Sequence, residues 1–116
     1  MSRRVLIAED EPLLLMTFVM EMEEAGWEVV EATSGDHALE LWERHKPFDL
    51  LLTDIRMPGK TDGWSLAEHL RRSDPGLPVI YASGFSEELP RLVSGGIFIP
   101  KPFTSASLKS ALAKVV

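Results

Sequence analysis

Five short apolar runs alternate with helix-patterned segments, and that alternation limits what this chain can fold into more than any other feature. The runs are Val5–Ala8, Trp27–Ala32, Leu50–Thr53, Val79–Ala82 and Ile97–Ile99. Apolar runs this short, closed by charged or turn residues, read as buried parallel strands. After the first run, Pro12 suits an opening helical turn. Leu14, Leu15, Phe18, Val19 and Met22 follow at helical spacing to about Ala25, where Gly26 stops the helix. Thr33-Ser34-Gly35-Asp36 is a turn with a cap ahead of a second helix carrying Ala38, Leu39, Leu41 and Trp42, closed by Pro47. A third helix starts near Gly63-Trp64 with Leu66, Ala67 and Leu70, and Thr104 caps a last helix with Leu108, Ala111 and Leu112 facing in.

Strands that alternate with helices imply an α/β fold, a parallel sheet with helices on both faces. Right-handed crossovers leave few topologies, and the best fit is strand order 2-1-3-4-5, the flavodoxin-like (βα)5 doubly wound sheet. Ligands of such sheets bind beyond the carboxyl ends of the strands. Strand one ends at Glu9 and Asp10, strand three at Asp54 and strand four at Ser83, while strand five runs into Lys101. Asp54 alone would read as a helix cap or turn residue. In the expected strand order, however, these ends are neighbours and gather three carboxylates, a hydroxyl and an ammonium. Carboxylates so close are costly unless a cation shares the site. Oxygen donors without sulfur or imidazole point to Mg²⁺ rather than Zn²⁺.

Composition narrows the function classes. With 116 residues and 45% hydrophobic content, residues 1–116 are expected to form one domain with its own core. The absence of cysteine excludes disulfides, thiolate metal sites and cysteine nucleophiles. A net charge of −6 without a basic stripe argues against direct nucleic-acid binding. No apolar run approaches the ~20 residues of a membrane span, and no basic-then-apolar leader opens the chain. A cytoplasmic protein without membrane contact is therefore expected. His37, His45 and His69 lie at no predicted strand end and read as surface or helix residues.

Three motifs then stand together. Val5-Leu6-Ile7-Ala8-Glu9-Asp10-Glu11, Asp54-Ile55-Arg56-Met57-Pro58-Gly59 with Asp62-Gly63, and Lys101-Pro102-Phe103 resemble those of bacterial response-regulator receiver domains, the CheY-like superfamily. The resemblance covers essentially the whole chain, and three motifs in order are specific where one would be weak. It implies a two-component signalling module rather than an enzyme. Asp54 would accept a phosphoryl group from a histidine kinase or a histidine phosphotransfer protein and so switch a surface for a downstream protein. Asp10, Asp54 and the Arg56 carbonyl would bind Mg²⁺ directly, with Glu9 acting through water. Ser83 would meet a phosphoryl oxygen, Lys101 would pair with the phosphoryl group, and Lys101–Pro102 would be a cis peptide. Phe98 takes the position of the aromatic that moves with Ser83 on switching. Phosphoryl transfer needs positioning and neutralisation of spread charge, which these residue types supply. Tyr81-Ala82-Ser83-Gly84-Phe85-Ser86 is similar to receivers of hybrid sensor kinases and of some stand-alone regulators.

Departures from the family pattern carry expectations of their own. The loop from Pro58 to Gly63 is one residue longer than usual. The Ser83–Lys101 interval is about one helical turn shorter, and Pro90 and Gly95-Gly96 lie inside it, so a helix between strands four and five is expected to be short or irregular. Phe98 lacks the hydroxyl of a tyrosine. Two rival functions are weaker. A Mg²⁺-dependent aspartyl phosphatase of the haloacid dehalogenase type wants an acid two residues after its nucleophile, where this chain has Arg56. A flavin or nucleotide carrier would need a phosphate cradle after strand one, where Glu9-Asp10-Glu11 would repel it.

Overall fold

The computed structural model describes residues 3–84, 91–101 and 103–115. The elements run β1 (Arg4–Ala8), α1 (Pro12–Glu24), β2 (Glu28–Ala32), α2 (Gly35–His45), β3 (Leu50–Thr53), α3 (Gly63–Ser73), β4 (Val79–Ser83), β5 (Ile97–Pro100) and α4 (Ser105–Val115). The strands pair in parallel in the order β2-β1-β3-β4-β5, as expected.

Side chains alternate across a strand, so each strand feeds two cores. Leu6, Ala8, Leu51, Val79 and Tyr81 pack with Trp42 of α2 and with Trp64, Leu66 and Leu70 of α3. Val5, Ile7, Leu50, Leu52, Ile80, Ala82 and Ile99 pack with Leu15, Phe18 and Met22 of α1 and with Leu108 and Leu112 of α4. β3 is buried along its whole length, which accounts for an uninterrupted Leu50-Leu51-Leu52 run.

α1 opens on Pro12 without a side-chain cap, whereas α2, α3 and α4 begin at capping side chains. The Ser34 hydroxyl accepts from the His37 amide at 3.0 Å, Asp62 Oδ1 from the Ser65 amide at 2.8 Å, and Thr104 Oγ1 from the Ser107 amide at 3.0 Å. One element differs from expectation: β5 continues through Pro100, which pairs with Ser83. β5 is an edge strand, where a residue without an N–H is tolerated.

Ser86-Glu87-Glu88-Leu89, a sequence that resembles a capping box, and Pro90 fall outside the described residues, as does the Lys101–Pro102 peptide through Pro102. Residues 91–96 lead into β5 through a turn and without a helix. Side chains of the sheet and of α3 hold this lead-in. Tyr81 Oη accepts from the Val93 amide at 3.1 Å, and Arg71 donates to the carbonyls of Leu77 (2.6 Å) and Ser94 (2.7 Å). Phe98 is half-buried against the core under α2 and α3. Among the described residues, no helix is long and apolar enough to cross a membrane.

Candidate functional site

The sheet ladder runs one residue past three of its strands. The Glu9 amide donates to Ala32 O at 3.0 Å, the Asp54 amide to Ala8 O at 2.9 Å and the Lys101 amide to Ser83 O at 3.0 Å. Each backbone is thus fixed, while the side chain projects beyond the last paired residue. Parity decides which side chains meet. Glu9 continues the row of Val5 and Ile7, Asp54 that of Leu50 and Leu52, and Lys101 that of Ile97 and Ile99, all on the face under α1 and α4.

Lys101 Nζ accordingly bridges two carboxylates, 2.9 Å from Glu9 Oε1 and 3.0 Å from Asp54 Oδ2. The other Glu9 oxygen accepts from the Glu11 amide at 3.1 Å, and Asp54 Oδ1 accepts from the Ile55 amide at 2.6 Å. Glu9 and Asp54 are buried while Asp10 is exposed, and the three place carboxylate oxygens within 4.8 Å of one another. Thr53, of opposite parity, donates its hydroxyl to Asp54 O at 2.7 Å. Gly63 lies so close to that same carbonyl that a Cβ would stand 2.0 Å from it.

Burial pushes the Glu9 carboxyl up to about 7, against the Lys101 hydrogen bond that pulls it down. Burial also acts to lower Lys101, but the hydrogen bonds to Glu9 and Asp54 outweigh it and its pKa is raised. Lys101 therefore stays charged. One ammonium against three carboxylates leaves the pocket short of positive charge, and every donor on offer is an oxygen. That set fits Mg²⁺, a hard cation that takes one or two carboxylates and keeps several waters.

The structure thus brings Glu9, Asp10, Asp54 and Lys101 together. Ser83 is buried at the end of β4, beside Lys101 in the ladder. Arg56 is exposed, two residues beyond Asp54. Phe98 belongs to the core, paired with Tyr81 and away from the acidic cluster. Of the histidines, His45 and His69 are exposed on helices, whereas the His37 ring accepts from the Thr33 amide at 3.1 Å and closes the turn after β2. Reading the sequence missed Thr53 and the direct Lys101–Glu9 pair. The signal for both was strand parity carried past the strand ends.

The family model for the response regulator receiver domain matches residues 5–113. The chain belongs to this family: it is a receiver domain of two-component signalling, and its fold is CheY-like. It is 38% identical over 98% of its length to the transcriptional regulatory protein PdtaR of Mycobacterium tuberculosis, of which the match covers 57%. The chain thus spans little more than half of that relative. The crystal structure of a response regulator receiver protein from Sinorhizobium medicae superposes with a TM-score of 0.87 at 33% identity, covering 98% of this chain and 94% of that one. The response regulator TrrA of Thermotoga maritima, in complex with Mg²⁺–BeF, gives a TM-score of 0.86 at 27% identity, covering 98% and 99%. These likenesses lend no support to the haloacid dehalogenase alternative.

Proposed function

We propose that residues 1–116 form a single receiver whose Asp54 accepts a phosphoryl group from a phosphohistidine of a histidine kinase or phosphotransfer protein. The observation that carries this reading is the buried Asp54 carboxylate, held by Lys101 Nζ at 3.0 Å within an oxygen-only acidic cluster. An Asp54 carboxylate oxygen attacks phosphorus. The new O–P bond forms as the P–N bond to the donor imidazole breaks, and the imidazole leaves with the bonding electrons and takes a proton. Mg²⁺ would be held by Asp10, Asp54 and the Arg56 carbonyl, with Glu9 acting through water, and would neutralise the phosphoryl oxygens. Lys101 supplies the protein's own positive charge, and Ser83 offers a hydroxyl to a phosphoryl oxygen. Phosphorylation and dephosphorylation are then self-catalysed by this site, without turnover of another substrate.

A donor must approach from above the strand ends. There α1 exposes Leu13 and Met16, and a groove of about 570 Å³ runs between α1 and α4, where Leu13, Leu14 and Phe103 lie beside Glu11, Thr17, Glu21, Lys101 and Ser105. This apolar margin beside the acids fits a helical phosphohistidine protein. The phosphoryl group adds about −1.5 to −2 charge. Ser83 and Phe98 are the switch that passes this change to a protein surface. The acidic balance of the chain favours a protein partner over nucleic acid, and a cytoplasmic setting agrees with the absence of cysteine. The test is labelling with acetyl phosphate followed by mass spectrometry. Wild-type protein is expected to carry one hydroxylamine-labile phosphate and Asp54→Asn none; a label that persists in the variant removes Asp54 from the role.

A further inference from the structure

The loop between β3 and α3 is braced from outside by the first turn of α2. Asp36 Oδ2 accepts from the Lys60 amide at 2.9 Å, and Asp36 Oδ1 accepts from the Thr61 hydroxyl at 2.7 Å. Two glycines allow the approach. A Cβ on Gly35 would stand 2.2 Å from the Thr61 carbonyl oxygen, and one on Gly59, whose φ is +96°, would stand 2.3 Å from Asp36 Oδ2. The same bonds, the Thr61 hydroxyl first and the Lys60 amide second, hold the Asp36 carboxyl below the usual carboxylate range. Thr61 is buried, whereas Pro58, Gly59 and Lys60 are exposed. The loop is tied at its ends as well, by the Gly63 amide on Ile55 O at 2.7 Å and by the Asp62 cap of α3. Asp36 thus fixes the middle of a span that begins at Arg56 and carries one more residue than the family pattern.

We propose that Asp36 is a positioning residue of the phosphorylation site: its two hydrogen bonds to Lys60 and Thr61 hold the 56–62 loop so that the Arg56 carbonyl is set for the metal. This rests on the reading of Asp54 and Mg²⁺ given above. Asp36 lies outside the acidic cluster of Glu9, Asp10 and Asp54 and would act only through the loop. Groups that orient metal ligands from behind typically change metal affinity by about 10–100-fold when removed. An extra loop residue adds freedom that such a brace takes away.

The test compares Asp36→Ala, Asp36→Asn and Thr61→Val with wild type. Asn removes the charge but keeps an acceptor for the Lys60 amide and a polar partner for the Thr61 hydroxyl. Mg²⁺ affinity is measured by calorimetry, and amide exchange at Lys60 and Thr61 is measured in metal-free protein. Asp36→Ala is expected to weaken Mg²⁺ binding by about tenfold and to speed exchange at both amides. Asp36→Asn is expected to stay near wild type in both, and Thr61→Val to fall between. Labelling by acetyl phosphate at limiting Mg²⁺ slows in step with the affinity and recovers at saturating Mg²⁺. Unchanged Mg²⁺ affinity in Asp36→Ala overturns the proposal. Equal losses in Asp36→Asn and Asp36→Ala overturn it too, because charge rather than bracing would then be responsible. If Asp36→Ala does not fold, Thr61→Val decides by the same measure. A wild-type protein that binds no Mg²⁺ overturns both this inference and the site reading; a wild type that binds and is labelled, with variants to match, overturns this inference alone.

Discussion

Gly63→Ala sets two effects against each other. Helix propensity favours the change, since alanine in a helix interior is better than glycine by about 1 kcal/mol and less so at the first position. Packing opposes it. The added Cβ would lie 2.0 Å from the Asp54 carbonyl oxygen and 2.8 Å from Ile55 Cα, both main-chain atoms. Relief needs roughly 1.4 Å of backbone movement to reach ordinary contact. Overpacking of this kind costs about 1–3 kcal/mol, and losing the Gly63–Ile55 hydrogen bond adds about 1 kcal/mol. Packing therefore wins, with a net destabilisation of about 2–3 kcal/mol. For a domain of this size that lowers the melting temperature by roughly 8–12 °C. Thermal unfolding followed by circular dichroism, in the absence of divalent ions, measures it. Gly76→Ala is the control: its nearest neighbour is Asp74 Oδ1 at 3.8 Å, so a rise of about 0.4–1 kcal/mol is expected from the stiffer unfolded chain. A Gly63→Ala protein that melts at or above wild type would refute the reasoning. Because the displaced atom is the Asp54 carbonyl, the same variant is expected to label more slowly with acetyl phosphate, whereas Gly76→Ala labels normally.

Three further outcomes are expected. In metal-free protein Glu9 takes its proton near pH 7, against an ordinary value of 4.5, so the folded state binds the extra proton. That stabilisation is complete below pH 4.5 and is lost as pH rises through about 7; urea midpoints will fall across this window in wild type and stay flatter in Glu9→Gln, and equal slopes would count against it. Tyr81→Phe removes the acceptor of the Val93 amide, costs about 1 kcal/mol and speeds amide exchange at Val93 but not in β1; an unchanged Val93 rate would contradict the contact. Adding beryllofluoride as a phosphoryl mimic is expected to alter exchange at Gly84 and across residues 91–96, with Ser83→Ala still labelled but lacking that change; a response confined to Asp10 and Asp54 would exclude this route.

Much of the architecture was legible because burial is two-sided. Leu50-Leu51-Leu52 could be placed in a central strand on apolarity alone, and the strand ends then named Glu9, Asp10, Asp54, Ser83 and Lys101. Helical spacing also picked out the inner face of α1: Leu15, Phe18 and Met22 are buried, whereas Leu13 and Met16, which that spacing left out, are exposed. The fifth run was ended at Ile99 because Pro100 lacks an amide, and only the edge position of β5 explains how Pro100 stays in the sheet. Asp36 gave no signal as a loop brace. Its partners are 24 and 25 residues away, and the contact depends on a loop path that no local pattern encodes.

The Lys101–Glu9 pair joins residues 92 positions apart, which has a consequence for how the site comes into being. During synthesis β1 and β3 can dock early and bring the acids of Glu9, Asp10 and Asp54 side by side. Their countercharge lies on the last strand to leave the ribosome. Until β5 closes that long loop, the nascent sheet carries unrelieved repulsion at its carboxyl edge, and long-range closure of this kind is entropically late. A divalent cation in the surrounding solution could stand in for Lys101 during that interval. Truncation before β5 would therefore leave a chain whose four remaining strands still share a frame but whose acidic edge lacks the Lys101 ammonium to steady it.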